Sequence, residues 1–161
     1  NLSLERPTNK FPITVWFLVM GFRNADIHLP AVILGTGVPQ LAPLGLGGDV
    51  IVHIDDAMLR RQTFDGRAIV QWKGARSKLT PVAPLGDYEL TVDGRNGAPL
   101  AVLRTLRGPL QIDGKDAVAK DGSRIFAATM VVPQPLRAQL VPLLRLIAVE
   151  RSPGVFEFEV K

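Results

Sequence analysis

The sequence predicts a mainly β protein: a curved antiparallel sheet laid out as a meander, with one or two short helices packed on it. Three observations carry this prediction. Turn-forming residues are dense, with 15 glycines and 13 prolines spread over 161 residues, and both are disfavoured inside helices. Short β-favouring segments lie between these turn signals. Several segments alternate apolar and polar residues with a period of two, which gives a strand one dry and one wet face, as in antiparallel sheets.

The first apolar run is ITVWFLVMGF, Ile13 to Phe22. A membrane-spanning helix needs about 20 apolar residues, so this run is too short. Its β-branched and aromatic content predicts a buried strand, and a remnant of a membrane anchor is the other reading. A short helix is predicted over Pro30 to Leu34, with Pro30 as its first residue and Gly35 and Gly37 ending it.

The strands follow. Gly48-Asp49 leads into Val50 to Ile54, Asp65-Gly66 into Arg67 to Trp72, and Gly86-Asp87 into Tyr88 to Val92. A turn cluster at Asp93-Gly94 and Asn96-Gly97 precedes Pro99 to Thr105. Gly108-Pro109 opens Leu110 to Ile112, which Asp113-Gly114 closes. Gly122 precedes Arg124 to Val132, and Gly154 opens Val155 to Val160. In the last strand Val155, Glu157 and Glu159 point one way and Phe156, Phe158 and Val160 the other. The turns between Tyr88 and Ile112 are short, so these strands form a meander.

One segment carries a helical period. From Leu136 to Val149 the apolar residues Leu136, Leu140, Leu143, Leu144 and Ile147 recur at spacings of three and four. Pro142 stands inside it and weakens or splits the helix. This segment and the earlier one share a plan: Leu29-Pro30-Ala31 and Leu136-Arg137-Ala138 are each followed by an apolar turn or helix and a glycine-led strand. Leu29 lies nineteen residues before Gly48, and Leu136 eighteen before Gly154. An internal repeat is one reading of this, and chance recurrence of a degenerate pattern is the other.

Composition bounds the function. A chain of this length with 47% hydrophobic residues forms one domain and buries a core without staples. Cysteine is absent, which excludes structural disulfides, zinc-thiolate sites and cysteine nucleophiles. The formal net charge is +4 and aromatics are 6%. Scattered basic residues without aromatic platforms do not make a nucleic-acid surface. The small excess is a mildly basic solvated surface, or it attracts an anionic leaflet or an acidic partner patch.

Chemistry-bearing constellations are sparse. His53, Asp55 and His28 are the one conceivable metal set. The simpler reading puts His53 on the wet side of its strand, opposite Val52 and Ile54. The serines Ser3, Ser77, Ser123 and Ser152 lie in no GxSxG elbow. The glycine-rich stretches LGTGVPQ and LGLGGD match no phosphate-binding loop. Glu157 and Glu159 are the solvated side of an alternating strand. Trp72 is either half-buried core or an interface anchor. No catalytic residue, cofactor or metal is therefore expected.

From Leu29 onward the chain resembles type II secretion system protein N. The resemblance is carried by TFDGRAIVQWKGA (Thr63 to Ala75), LGDYELTVDG (Leu85 to Gly94), LRTLRGPLQIDGKD (Leu103 to Asp116) and the closing helix and strand LRAQLVPLLRLIAVERSPGVFEFEV (Leu136 to Val160). It implies a single periplasmic β domain over 1–161 on the periplasmic side of the bacterial inner membrane. It further implies a non-catalytic accessory or scaffold role in protein secretion. The partners it implies are other inner-membrane and periplasmic secretion components, and not nucleic acid. The chain is then expected to be soluble, with any membrane anchor upstream of it. Partner contact is expected along strand edges at Arg67, Val70 and Trp72, and at Phe156, Phe158 and Val160. The family also resembles AsmA-like envelope proteins, which implies the alternative of a lipid-binding groove lined by Leu, Ile and Val.

Overall fold

A computed structural model describes residues 19–60, 63–95 and 97–161. It contains twelve strands among the described residues: β1 (Val19–Phe22), β2 (Ala25–Pro30), β3 (Leu46–Ile54), β4 (Ala57–Arg60), β5 (Thr63–Asp65), β6 (Arg67–Ser77), β7 (Gly86–Asp93), β8 (Leu100–Arg107), β9 (Gln111–Val118), β10 (Arg124–Val131), β11 (Val149–Ser152) and β12 (Val155–Val160). Nine of them form one sheet in the order β11-β12-β10-β9-β8-β7-β6-β3-β2, and every pairing in it is antiparallel. A small second sheet has the order β1-β4-β5. The meander predicted from Tyr88 to Ile112 is β7-β8-β9, and it extends in both directions. Of the first apolar run, Val19 to Phe22 is β1, while its earlier residues and Trp16 lie outside the described residues.

Two helical elements interrupt the meander at corresponding places. Between β2 and β3 lie α1 (Ile33–Gly37) and a 3₁₀ helix, Pro39–Leu44. Between β10 and β11 lie a 3₁₀ turn, Gln134–Leu136, and α2 (Arg137–Leu144). The same bond closes each excursion. Ala31 N–H donates to Gly48 C=O at 3.0 Å, and Val132 N–H donates to Gly154 C=O at 2.8 Å. Ala31 and Val132 are both buried, and Gly48 and Gly154 both have positive φ, 110° and 75°. The pattern seen in the sequence is thus a strand–helix–glycine–strand unit that occurs twice in space.

Three boundaries differ from expectation. The first helix starts at Ile33, because Pro30 still pairs with Asp49 at the end of β2. Gly35 lies within α1 and does not stop it, whereas Gly37 is its last residue. A Cβ at Gly35 would stand 3.0 Å from Ala42 Cα, so glycine is what lets α1 and the following 3₁₀ helix meet. The second helix ends at Leu144, not Val149. Pro142 has no N–H to continue the ladder, and the chain unwinds through short bonds such as Leu146 N–H to Leu143 C=O. Val149 then starts β11, where pairing with Glu157 outweighs its helical spacing. Finally, Asp113-Gly114 does not end a strand: β9 runs through it to Val118, with Gly114 opposite both Leu103 and Ala128.

The sheet is bent. Ladder irregularities fall between Gly47 and Asp49, between Trp72 and Ala75, and between Asp87 and Tyr88. These three are on neighbouring strands at the helical end, and each adds local twist and bend. The two faces differ in chemistry. On the convex face Gln71, Glu89 and Arg104 stand in one cross-strand row, joined by Gln71 Nε2 to Glu89 at 2.9 Å and Arg104 Nη2 to Glu89 at 2.6 Å. The Gln71 amide first, and the Arg104 guanidinium with it, hold the Glu89 carboxyl below its ordinary range. On the concave face the rows are apolar: Trp72, Val50 and Tyr88, then Val70, Val52, Leu90 and Leu103. The buried core lies at the helical end, where Leu140, Leu143 and Leu144 of α2 join Phe156, Met130 and Leu110.

Candidate functional site: a concave apolar trough and a free sheet edge

Among the described residues the core does not fill the concave face. A trough of about 390 Å³ remains, large beside a 150 Å³ apolar cavity that already admits benzene. Its walls at the helical end are Leu34, Val38 and Leu41 on one side and Leu143, Leu144 and Ile147 on the other. Its floor runs from Leu110 and Ile112 past Leu103 and Ala128 to Phe126 and Val160. Gly114 lies in this floor, and a Cβ there would stand 2.7 Å from Phe126 Cζ. The missing side chain is the space the Phe126 ring occupies.

The polar atoms of the lining side chains are already engaged inside the protein. Trp72 Nε1 donates to Gly47 C=O at 3.0 Å, Ser77 Oγ to Leu44 C=O at 2.5 Å, and Tyr88 Oη to Leu110 C=O at 2.8 Å. Burial pushes the Tyr88 phenol far above its ordinary value, and nearby Asp87 adds to this, so the hydroxyl remains a donor. The Trp72 and Tyr88 rings stand 5.7 Å apart and tilted by 47°. Trp72 is therefore both half-buried core and trough wall.

The expected contact residues divide between these features. Val70, Trp72, Phe158 and Val160 line the trough, and Phe156 is fully buried. Arg67 lies apart, in a polar hollow with Asn24, Asp55, Asp56 and Arg95. Arg67, Val70 and Trp72 are not on a sheet edge, because β6 lies between β3 and β7, and Phe156 is paired on both sides, with Met130 and Glu150. Only Phe158 to Val160 lack a β11 partner, since β11 pairs with Val155 to Glu157 alone.

Among the described residues the outer strands of the large sheet are β11 and β2. Strand β11 is short, bulged and covered with ion pairs, Arg145–Glu150 and Arg151–Glu157, each at 2.7 Å. Those features protect an edge. Strand β2 has six residues in unbroken register. Antiparallel hydrogen bonding alternates, and the bond from Ala31 to Gly48 sets its phase. Ala25, Ile27 and Leu29 therefore bond to β3, while the backbone groups of Asp26 and His28 face outward. Pro30, which has no N–H, occupies an outward position too, where proline is tolerated.

His53 ties this edge down. Its Nδ1 is 2.5 Å from Asp26 on β2 and its Nε2 is 3.0 Å from Asp55. Both nitrogens can donate only in the imidazolium, and the hydrogen bonds to Asp26 and Asp55 raise the pKa above 6.5. Both ring nitrogens of His53 are occupied, His28 stands opposite Ile51 two residues along the strand from Asp26, and the imagined set of His28, His53 and Asp55 does not converge on a metal among the described residues. A raised folded-state pKa means a stabilisation fully present below pH 6.5 and lost as pH rises through the folded value. The melting-temperature gap between the wild type and His53→Gln is expected to be widest near pH 6 and to shrink towards pH 9. A gap independent of pH would show that the clamp does not depend on the charge.

The described residues thus form a bent antiparallel sheet with an apolar trough on its concave face and outward-facing backbone groups along β2. The sequence model of the family described as "Type II secretion system (T2SS), protein N" matches residues 9–159. The chain belongs to that family, and so to the accessory components of type II secretion. No curated protein and no solved structure matches it. None of the described helices is long and apolar enough to cross a membrane.

Proposed function

We propose that this chain is a non-catalytic scaffold of the type II secretion machinery, acting on the periplasmic side of the inner membrane through protein–protein contact. Strand β2 receives an extended segment of a partner from among the inner-membrane and periplasmic components. The observation that carries this reading is the edge itself, which no strand among the described residues covers: an unbulged strand whose Asp26 and His28 backbone groups face away from β3. Added strands of this kind gain affinity from main-chain hydrogen bonds and specificity from alternate side chains. The partner strand would extend both faces of the sheet. Its residues beside Ile27 and Leu29 are then apolar, and those beside Asp26 and His28 polar.

His28→Pro tests this reading. It removes one outward N–H and leaves the bonds to β3 in place, whereas His28→Ala keeps that N–H and removes only the side chain. Co-purification with the secretion components is expected to fall at least tenfold for His28→Pro and to stay near wild type for His28→Ala. Equal capture by all three proteins would rule out β2 as the seat of the partner.

A further inference from the structure

We propose that β2 pairs with β2 of a second copy of this chain about a two-fold axis, so that two copies cap each other's edge until a partner strand displaces one of them. The inference rests on the reading of β2 as a strand acceptor and adds what regulates it. Three observations lead there.

The first is which edge takes part. At the other end of the large sheet, β11 is bulged and carries the Arg145–Glu150 and Arg151–Glu157 ion pairs, features that keep an added strand away. Head-to-tail pairing of β2 with β11 would also build an open filament, whereas β2 against itself is a closed, isologous contact. The edge that accepts a strand is therefore also the one that can supply it.

The second is the register. Asp26, His28 and Pro30 turn their backbone groups away from β3, so an added antiparallel strand bonds at those positions. Placing Asp26 opposite Asp26 of the second copy sets like charges face to face, which destabilises a sheet. It also sets His28 against Asn24, which precedes β2 and whose φ of 44° breaks the extended backbone. Placing His28 opposite itself leaves the Asp26 C=O facing Pro30 of the second copy, which has no N–H. Placing Asp26 opposite His28 satisfies the N–H and C=O of both residues in both copies.

The third is what that register does to the side chains. On the convex face Asp26 meets His28 of the second copy on both sides of the axis. Asp26 gives Oδ1 to His53 at 2.5 Å, which leaves Oδ2 for the facing imidazole. On the concave face Ile27, 37% exposed, falls on the axis against its counterpart, and Leu29 stands opposite the small Ala25 of the second copy. Opposite-charge and apolar pairs of this kind stabilise neighbouring strands. They are also the side chains expected of a partner strand, apolar beside Ile27 and polar beside Asp26 and His28. One strand edge buries less surface than a permanent dimer, so the contact is weak and open to exchange.

The test uses the whole chain. The wild type is expected to sediment as a monomer when dilute and as a dimer when concentrated, and exchange of the His28 amide is expected to slow at least threefold over the same range. Cysteine is absent from the sequence, so an introduced thiol reports one contact. In the proposed register Ile27 and its counterpart form a non-hydrogen-bonded pair with Cα atoms about 4.5 Å apart, within the roughly 4.4–6.8 Å that a disulfide spans. Two His28 residues lie out of register by two positions, beyond about 7 Å. Ile27→Cys is expected to cross-link under mild oxidation at least ten times faster than His28→Cys. His28→Glu and Asp26→Lys are each expected to weaken self-association at least tenfold, because like charges then face each other. An equimolar mixture of the two is expected to pair, because each copy then meets an opposite charge. A wild type that is monomeric at every concentration, equal cross-linking of both cysteine variants, or a mixture no better than its components would overturn the proposal. So would slow His28 exchange independent of concentration, which would place the cover within one chain. The sedimentation and exchange of the wild type stand even if a variant fails to fold. The disulfide-linked Ile27→Cys dimer is expected to capture the secretion components at least tenfold less than its reduced form. Undiminished capture by the linked dimer would remove β2 as the partner's seat and leave self-pairing in place. A monomeric wild type whose capture still falls with His28→Pro would sink self-pairing alone.

Discussion

Phe156→Ala is expected to destabilise the fold by about 3–5 kcal/mol, the usual range for truncating a fully buried aromatic ring. Phe156 has no exposed surface and belongs to the buried cluster with Leu140, Leu143 and Leu144 of α2. It stands between Glu150 on β11 and Met130 on β10, so its loss leaves a cavity that neighbouring strands cannot close. Domains of this size are stable by about 5–15 kcal/mol, so the variant stands close to the unfolding threshold. Phe158 is the control. It is two residues on, on the same face of the same strand, but it is half-buried and borders the trough. Its truncation removes less buried surface and enlarges a space that is already open, so the expected cost is about 1–2 kcal/mol. Urea denaturation of both variants, with slopes equal to wild type, checks the pair. Equal costs would mean that the concave face is closed core around Phe158 and that the trough does not reach it.

That contrast marks where the sequence was legible. Phe156, Phe158 and Val160 alternate with Val155, Glu157 and Glu159, so their shared face could be read from period two alone. Which of the three is covered could not be read, because the cover is α2, eight residues long and broken by Pro142. The strands between glycine turns were legible for the same reason, down to the meander of β7, β8 and β9. Strand β2 was not. Its sequence ADIHLP has weak β-forming character and ends in proline, and only pairing with β3 makes it a strand. The sequence therefore points to the regular strands β6 and β12 for the free edge, although good alternation goes with pairing on both sides. The trough was legible as lining and not as space. Val70 and Trp72 read as apolar positions, but their separation from Phe126 and Val160 depends on the bend of the sheet.

The glycines of the two strand–helix–strand units carry the second large effect. Gly48→Ala is expected to cost about 3 kcal/mol or more, and Gly154→Ala about 2 kcal/mol. Both replace a glycine at positive φ, where an L side chain costs roughly 1–2 kcal/mol on conformation alone. What a new methyl group would meet separates them. At Gly48 it would stand 2.6 Å from Lys73 O, 2.8 Å from Gly74 O and 2.9 Å from Trp72 Nε1. Lys73 is paired with Asp49 in the sheet, Gly74 O is backbone at the bulge beside it, and the third is the indole nitrogen that donates to Gly47 C=O. Backbone cannot withdraw as a flexible side chain can, and moving the indole breaks its bond to Gly47. At Gly154 the nearest atom is Arg137 Nε at 2.6 Å, with Val132 O at 2.9 Å. Arg137 Nε is buried without a hydrogen-bond partner, so moving it towards water costs little and recovers hydration. The Gly48 variant is therefore expected to be the more destabilised, and the double variant to show the sum, because the two sites lie in opposite wings of the sheet and share no neighbour. Midpoints in urea test the order and the additivity together. The reverse order, with Gly154→Ala the costlier, would show that the C-terminal unit is held by the Arg137 side chain and that the two units are not closed in the same way.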